Sequence, residues 1–127
     1  MIMHEYAIAK GIVDVVLATL GDRECVVKKV WVKAGITKAI VEDALRFSFD
    51  VLKKQDKRLA GAELMYQVIL LRGRCRNCGA EFEIDRISGL CPVCGSADVE
   101  WLAGDELFVE KIEISDGNRE SDGRDVS

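Results

Sequence analysis

Between Ile8 and Leu20 the apolar residues Ile8, Ile12, Val15, Val16 and Leu20 recur three to four positions apart. That spacing marks one face of a helix, and Gly21 supplies a stop. The segment CVVKKVWVKAG alternates Val30, Val32 and Ala34 against Lys29, Trp31 and Lys33, which predicts a half-buried strand ended by Gly35. In VEDALRFSFDVLKK, Val41, Leu45, Ser48, Phe49 and Leu52 share a face, with acids in the first turn and Lys53 and Lys54 in the last. The pattern predicts a second helix whose charges suit its dipole. Gly61 allows a reversal before AELMYQVILL, a long predicted strand whose end, Val68 to Leu71, is apolar enough to lie centrally in its sheet. The chain then changes character: residues 72–97 are short of aliphatic side chains and hold four of the five cysteines, after which ELFVEKIEIS resumes as a strand.

The pattern therefore predicts an α+β fold, a small three-stranded sheet with two helices and an inserted four-cysteine zinc ribbon. Its expected divisions are an α/β domain of residues 1–73 plus 99–115, a zinc-binding domain of residues 74–98, and a tail of residues 116–127. The tail has Val126 as its only aliphatic residue and is expected to be disordered, because it buries too little apolar area to offset ordering entropy.

Composition narrows the function classes. In 127 residues, 18 basic side chains are mixed among 22 acidic ones for a net charge of −4, so no broad positive field favours nucleic acid or an anionic membrane. No run approaches the roughly 18 to 20 apolar residues that span a bilayer, and His4, Glu5 and Lys10 stand where a secretory signal would be apolar. A cytoplasmic protein is expected. Nucleophile–base pairs and a glycine-rich phosphate loop are missing, so an enzyme is not expected.

The most specific local signal is CRNCGAEFEIDRISGLCPVCGS, in which Cys75 and Cys78 form one CxxC pair and Cys91 and Cys94 another. Four thiolates in two such turns make a tetrahedral site with no position left for water, the donor set of structural Zn(II), and Gly79 and Gly95 permit the positive φ that such turns need. The same sulfurs would serve a mononuclear iron site for electron transfer, and a CxxC pair can also be redox-active. Pro92 inside the second pair and the doubling of the motif favour zinc. Ribbons of this spacing also serve as protein- or nucleic-acid-interaction modules. Arg72, Arg74 and Arg76 flank the first pair, but Glu81, Glu83 and Asp85 follow closely and no aromatic series is interleaved. Cys25, without a nearby partner, reads as a small buried hydrophobe.

The single histidine, His4, stands near the start beside Glu5. By itself it is either a solvated terminal side chain or a metal ligand. An imidazole close to an α-amino group, with backbone amides that can deprotonate, offers the nitrogen-rich set that favours square-planar Ni(II) or Cu(II) over zinc.

Taken together, the MHEYAIA start, the helix–strand–helix–strand order, the inserted CRNCG and CPVCGS ribbon and the closing GDELFVEKIEI strand resemble the HypA family of nickel metallochaperones over residues 3–115. The resemblance implies that His4 ligates nickel, that Met3 and Glu5 supply amine or amide nitrogen, and that Cys75, Cys78, Cys91 and Cys94 hold zinc. It implies delivery of Ni(II) to the large subunit of [NiFe]-hydrogenase, in some organisms also to urease, with a HypB-type GTPase as partner. A monomer or weak homodimer is expected, with no nucleic-acid or membrane partner. The family begins at Met-His-Glu, whereas Met1 and Ile2 precede it here, and GITKAI stands where the family commonly has a Gly-Glu-Leu type turn.

Overall fold

The computed structural model describes residues 2–115, with side chains from His4 onward; the tail discussed above lies outside the described residues. The chain divides into two compact units. One is made of the segments up to Val32, Ile40–Tyr66 and from Phe108, the other of Lys33–Ala39 and Gln67–Leu107.

The first unit is built on two helices and a three-stranded sheet. Helix α1 spans Ile2–Leu20. Ala9, Ile12, Val13, Val16 and Leu20 form its buried face, one side chain every three to four positions. Gly21 ends it in the left-handed conformation, φ +55°, its amide donating to the Leu17 carbonyl at 3.0 Å. Strand β1, Val26–Gly35, follows, then a 3₁₀ turn at Ile36–Lys38 and helix α2 at Glu42–Leu52. Two short 3₁₀ turns, Lys53–Gln55 and Lys57–Leu59, lead to β2 at Glu63–Ile69. With β6, Leu107–Ser115, these strands form a sheet of order β2-β1-β6. Val27, Val30 and Val32 of β1 pack with Leu45, Phe49 and Leu52 of α2 and with Cys25, Leu59, Leu64 and Ile112 in one core. Cys25 is buried there, as its sequence position suggests. Arg58 braces the end of α1: its guanidinium donates to the Gly21 and Arg23 carbonyls at 3.0 and 2.7 Å and pairs with Asp56 at 2.9 Å.

Four sequence expectations change. Val15, read as part of the inward stripe of α1, is 49% exposed, because it falls about 100° round the helix from Val16 and past the edge of the buried face. Helix α1 begins six residues before the apolar stripe does, so His4 and Glu5 are helical. Val41, read as part of the inner face of α2, is its N-cap and is 54% exposed, because the first residue before a helix points out of the periodic face. The long apolar run after Gly61 is shared between two strands instead of forming one central strand. β2 is a sheet edge and Val68 is exposed, while Leu71 starts β3 and is buried in a different sheet. A short apolar run reads the same in both arrangements.

The second unit contains the sheet that the cysteine-rich stretch conceals. It consists of β3 (Leu71–Cys75), β4 (Glu81–Ile84) and β5 (Val99–Ala103), in the order β4-β3-β5 with β3 antiparallel to both neighbours. This unit contains residues 74–98 and extends past them on both sides. On one face Arg74 reaches Glu81 at 3.1 Å and Glu100 at 3.2 Å, and beyond the end of β3 Arg76 reaches Asp98 at 3.1 Å. The other face is tight. A Cβ on Gly73 would lie 2.9 Å from Trp101 and from Val99 and 3.0 Å from Phe82, whose ring meets Trp101 edge-on at 5.7 Å. The turn that leaves β5 is stapled within the same unit: Thr37 donates from its amide and its hydroxyl to the Gly104 carbonyl, at 2.9 and 2.8 Å, and Gly35 donates to the Glu106 carbonyl at 2.7 Å. Gly35 lies directly on the Gly104 and Asp105 backbone, which leaves no room for a side chain. Among the described residues no helix is long and apolar enough to cross a membrane.

Candidate metal centres

Each CxxC pair lies in a tight turn, and the two turns repeat bond for bond. In the first, the Cys75 amide donates to the Ala80 carbonyl at 2.8 Å and the Gly79 amide to the Cys75 carbonyl at 2.9 Å. In the second, Cys91 to Ser96 and Gly95 to Cys91 give the same two distances. Gly79 and Gly95 take φ of +82° and +79°, the left-handed values their sequence position foretells. In each turn the leading sulfur is buried and accepts two backbone amides: Asn77 and Cys78 on Cys75 at 3.3 and 3.4 Å, Val93 and Cys94 on Cys91 at 3.3 and 3.5 Å. The trailing residues, Cys78 and Cys94, are exposed.

The four Sγ atoms lie within 4.8 Å of one another. Cys75 and Cys94 approach to 3.6 Å and Cys78 and Cys91 to 3.8 Å. A tetrahedron of metal–sulfur bonds of about 2.3 Å has sulfur–sulfur edges of about 3.8 Å, so the sulfurs fit around one ion. The electrostatics suit a bound cation as well. The Asn77 side-chain amide, followed by the Ser96 backbone amide, pulls the Cys94 thiol down to about 6. The Ala80 amide also favours ionisation of Cys78, but desolvation and the three neighbouring sulfurs overcome it and push that thiol up to about 11. Four thiolates this close ionise together only when a cation shares their charge.

Near the start of the chain the structure separates side chains that are adjacent in sequence. His4 is exposed. Glu5 is 1% exposed and turned inward, at the helical position where the pattern calls for an apolar residue. Its Oε2 accepts the Val41 amide at 2.8 Å, joining α1 to the N-cap of α2. That bond, first among several influences, holds the Glu5 carboxyl below its usual range. Met3 is placed by its backbone in the first turn of α1. Two contributors to these sites escape sequence reasoning. They are Asn77, whose Nδ2 donates to Cys94 Sγ at 3.5 Å, and Val41, whose part is played by its backbone alone.

Comparison with known proteins agrees with this architecture. Residues 3–114 match the family model described as hydrogenase/urease nickel incorporation, metallochaperone, hypA. A hydrogenase maturation factor HypA of Nostoc punctiforme is 39% identical over 114 residues, 90% of this chain and 97% of its relative. That of Geotalea uraniireducens is 35% identical over 112 residues, 88% and 99% of the two chains. The solution structure of the Ni metallochaperone HypA from Helicobacter pylori shares the fold, with a TM-score of 0.62 at 18% identity, covering 87% of this chain and 97% of that one. With a family match over nearly all the described residues and relatives aligned end to end, the chain belongs to the HypA family of metallochaperones for hydrogenase and urease nickel incorporation.

Proposed function

We propose that this protein binds Ni(II) through Met3, His4 and Glu5 and delivers it to the large subunit of [NiFe]-hydrogenase, while Cys75, Cys78, Cys91 and Cys94 hold a structural Zn(II). The observation that carries the nickel assignment is the exposed imidazole of the chain's only histidine, in the first turn of α1, where the family match begins. Zinc, when bound, supplies a fixed four-sulfur node that ties the two turns of the ribbon together.

The placement suits a site that releases its cargo. Amides of the first helical turn lie outside the hydrogen-bond ladder of the helix, so nitrogen ligation there does not unwind it. A helix N-terminus also carries about half a positive charge, which weakens its hold on a dication. Nickel is therefore held by deprotonated nitrogens against an opposing field and passes readily to a better donor set, whereas a four-thiolate cage keeps its ion. The Glu5 carboxylate, engaged with Val41, contributes scaffold, so that residue's part in the nickel set falls to its backbone nitrogen. A HypB-type GTPase is the expected partner in delivery, in the cytoplasm, with the protein acting as a monomer or weak homodimer. A nucleic-acid role finds less support, because Arg74 and Arg76 spend their charge on carboxylates of the same ribbon.

Native mass spectrometry tests the assignment on three forms: protein starting at Met3, protein starting at Met1, and His4→Ala in the Met3 form. One zinc is expected throughout, with one nickel on the Met3 form that the alanine variant loses. The Met1 form reports whether the amine next to His4 is needed. Nickel binding indifferent to His4 would overturn the assignment, and visible absorption from an iron–sulfur chromophore would overturn zinc.

A further inference from the structure

We infer that the four-sulfur cage opens to electrophiles at Cys78, and that Asn77 directs the attack there by protecting Cys94; the inference rests on the zinc-bound reading above. The two turns are near copies, so the place where they differ decides which sulfur reacts. Cys75 and Cys91 are buried and each accepts two backbone amides. Only the exposed pair, Cys78 and Cys94, can be reached from solvent.

Between those two the equivalence breaks at one position. Asn77 occupies the third place of its CxxC motif and extends its amide across to the opposite turn, donating to Cys94 Sγ at 3.5 Å. The matching third place of the second motif is Val93, whose side chain has no donor to return to Cys78. Outer-shell donors of this kind tune bound ligands. A thiolate that accepts an N–H bond has less electron density for attack, and thiolate nucleophilicity together with access sets cysteine reactivity. Cys78 is therefore the exposed thiolate with its density least drawn away. When it attacks iodoacetamide, a lone pair on Sγ forms the S–C bond, the C–I bond breaks, and iodide leaves with the electron pair. The product thioether is neutral and a poor zinc ligand, so the cage loses its fourth thiolate at that corner.

The test uses the full chain with its zinc content measured beforehand, treated with less than one equivalent of iodoacetamide. After denaturation, the remaining thiols are capped with an isotopically distinct reagent and counted by mass spectrometry. Cys78 is expected to react about fivefold faster than Cys94, the order of effect of one hydrogen bond, with Cys75 and Cys91 slower still. Asn77→Ala should bring the Cys94 rate up to that of Cys78, and Val93→Asn should slow Cys78. Equal rates in the natural sequence, or Cys94 reacting first, would overturn the inference, as would a ratio unmoved by Asn77→Ala. Should that variant fail to retain zinc, the natural ratio and Val93→Asn decide. A natural protein that holds no zinc before the reagent is added would overturn the zinc reading itself.

Discussion

The buried carboxylate of Glu5 accepts the backbone amide of Val41 at 2.8 Å, so the residue next to the proposed nickel ligand is fastened to the start of the second helix. Val41 forms no side-chain cap hydrogen bond, but its own amide is satisfied by Glu5 from 36 residues away, the part an N3 glutamate plays in a capping box. Glu5→Ala strands the amide and opens a small cavity in the core, an expected loss of about 2–3 kcal/mol in urea unfolding. Glu5→Gln keeps an acceptor and should lose roughly half as much.

The same bond sets a pH dependence. With the folded carboxyl held below its ordinary value, the contribution to stability is complete above the unfolded pKa of about 4.3 and fades as pH falls through the lower folded value. Urea midpoints measured between pH 3 and pH 7 should drop at the acid end, and more shallowly in Glu5→Gln. Equal slopes would show that the bond carries no such linkage.

Zinc removal should act on one unit selectively. The first unit has its own core of sixteen buried residues, whereas the buried cluster in the ribbon comprises Cys75, Cys91 and Val99 with Phe82 against it. So small a cluster depends on its metal. Trp31 and Trp101 lie in different units, and their indole resonances separate the responses. A strong chelator should collapse the Trp101 signal toward its random-coil position and leave Trp31 in place. Simultaneous loss of both would mean that the first unit also depends on the metal.

Gly73→Ala tests the packing of the ribbon sheet. The added methyl would meet Trp101, Val99 and Phe82 at once, at 3.0 Å or less, and the central strand is held by antiparallel partners on both sides, so it cannot shift away without disturbing both pairings. A cost of about 1–3 kcal/mol follows, visible as a lower melting temperature for the zinc-loaded ribbon. An unchanged melting temperature would mean that the Phe82 and Trp101 rings move aside at little cost.

The elements with a strong period are legible in the sequence. Ile12, Val16 and Leu20 of α1, the alternation of Val30, Val32 and Ala34 in β1, and the Leu45, Phe49 and Leu52 face of α2 all lie where their spacing puts them, whereas Val15, read into the same stripe, is 49% exposed and Ala9 and Val13 fill the buried face. The cysteine spacing likewise foretells a single four-sulfur cluster. What escapes is whatever depends on a partner distant in sequence. Glu5 is an acid in an inward position, explicable only by an amide 36 residues on. Leu71 belongs to a second sheet, which local hydropathy cannot distinguish from the first. That second sheet is hidden because its strands are short and bear arginines and glutamates on one face, so EFEI is lost in the cysteine-rich stretch and VEWLA, placed with the α/β domain, gives no strand signal of its own. Asn77 looks like filler inside a CxxC motif until the fold sets its amide beside the sulfur of the other turn.

The staple between Thr37 and Gly104 has a consequence for proteolysis. A protease needs several residues of extended, unbonded backbone, and the turn leaving β5 offers none while Gly35 and Thr37 hold it. The connection between β4 and the second CxxC turn is different, since Ile87 and Leu90 stand in solvent there. With the proposed zinc bound, a first nick near Leu90 would leave both halves of the ribbon joined through the four cysteines, so that a cut chain would still migrate as one folded protein until the metal is withdrawn.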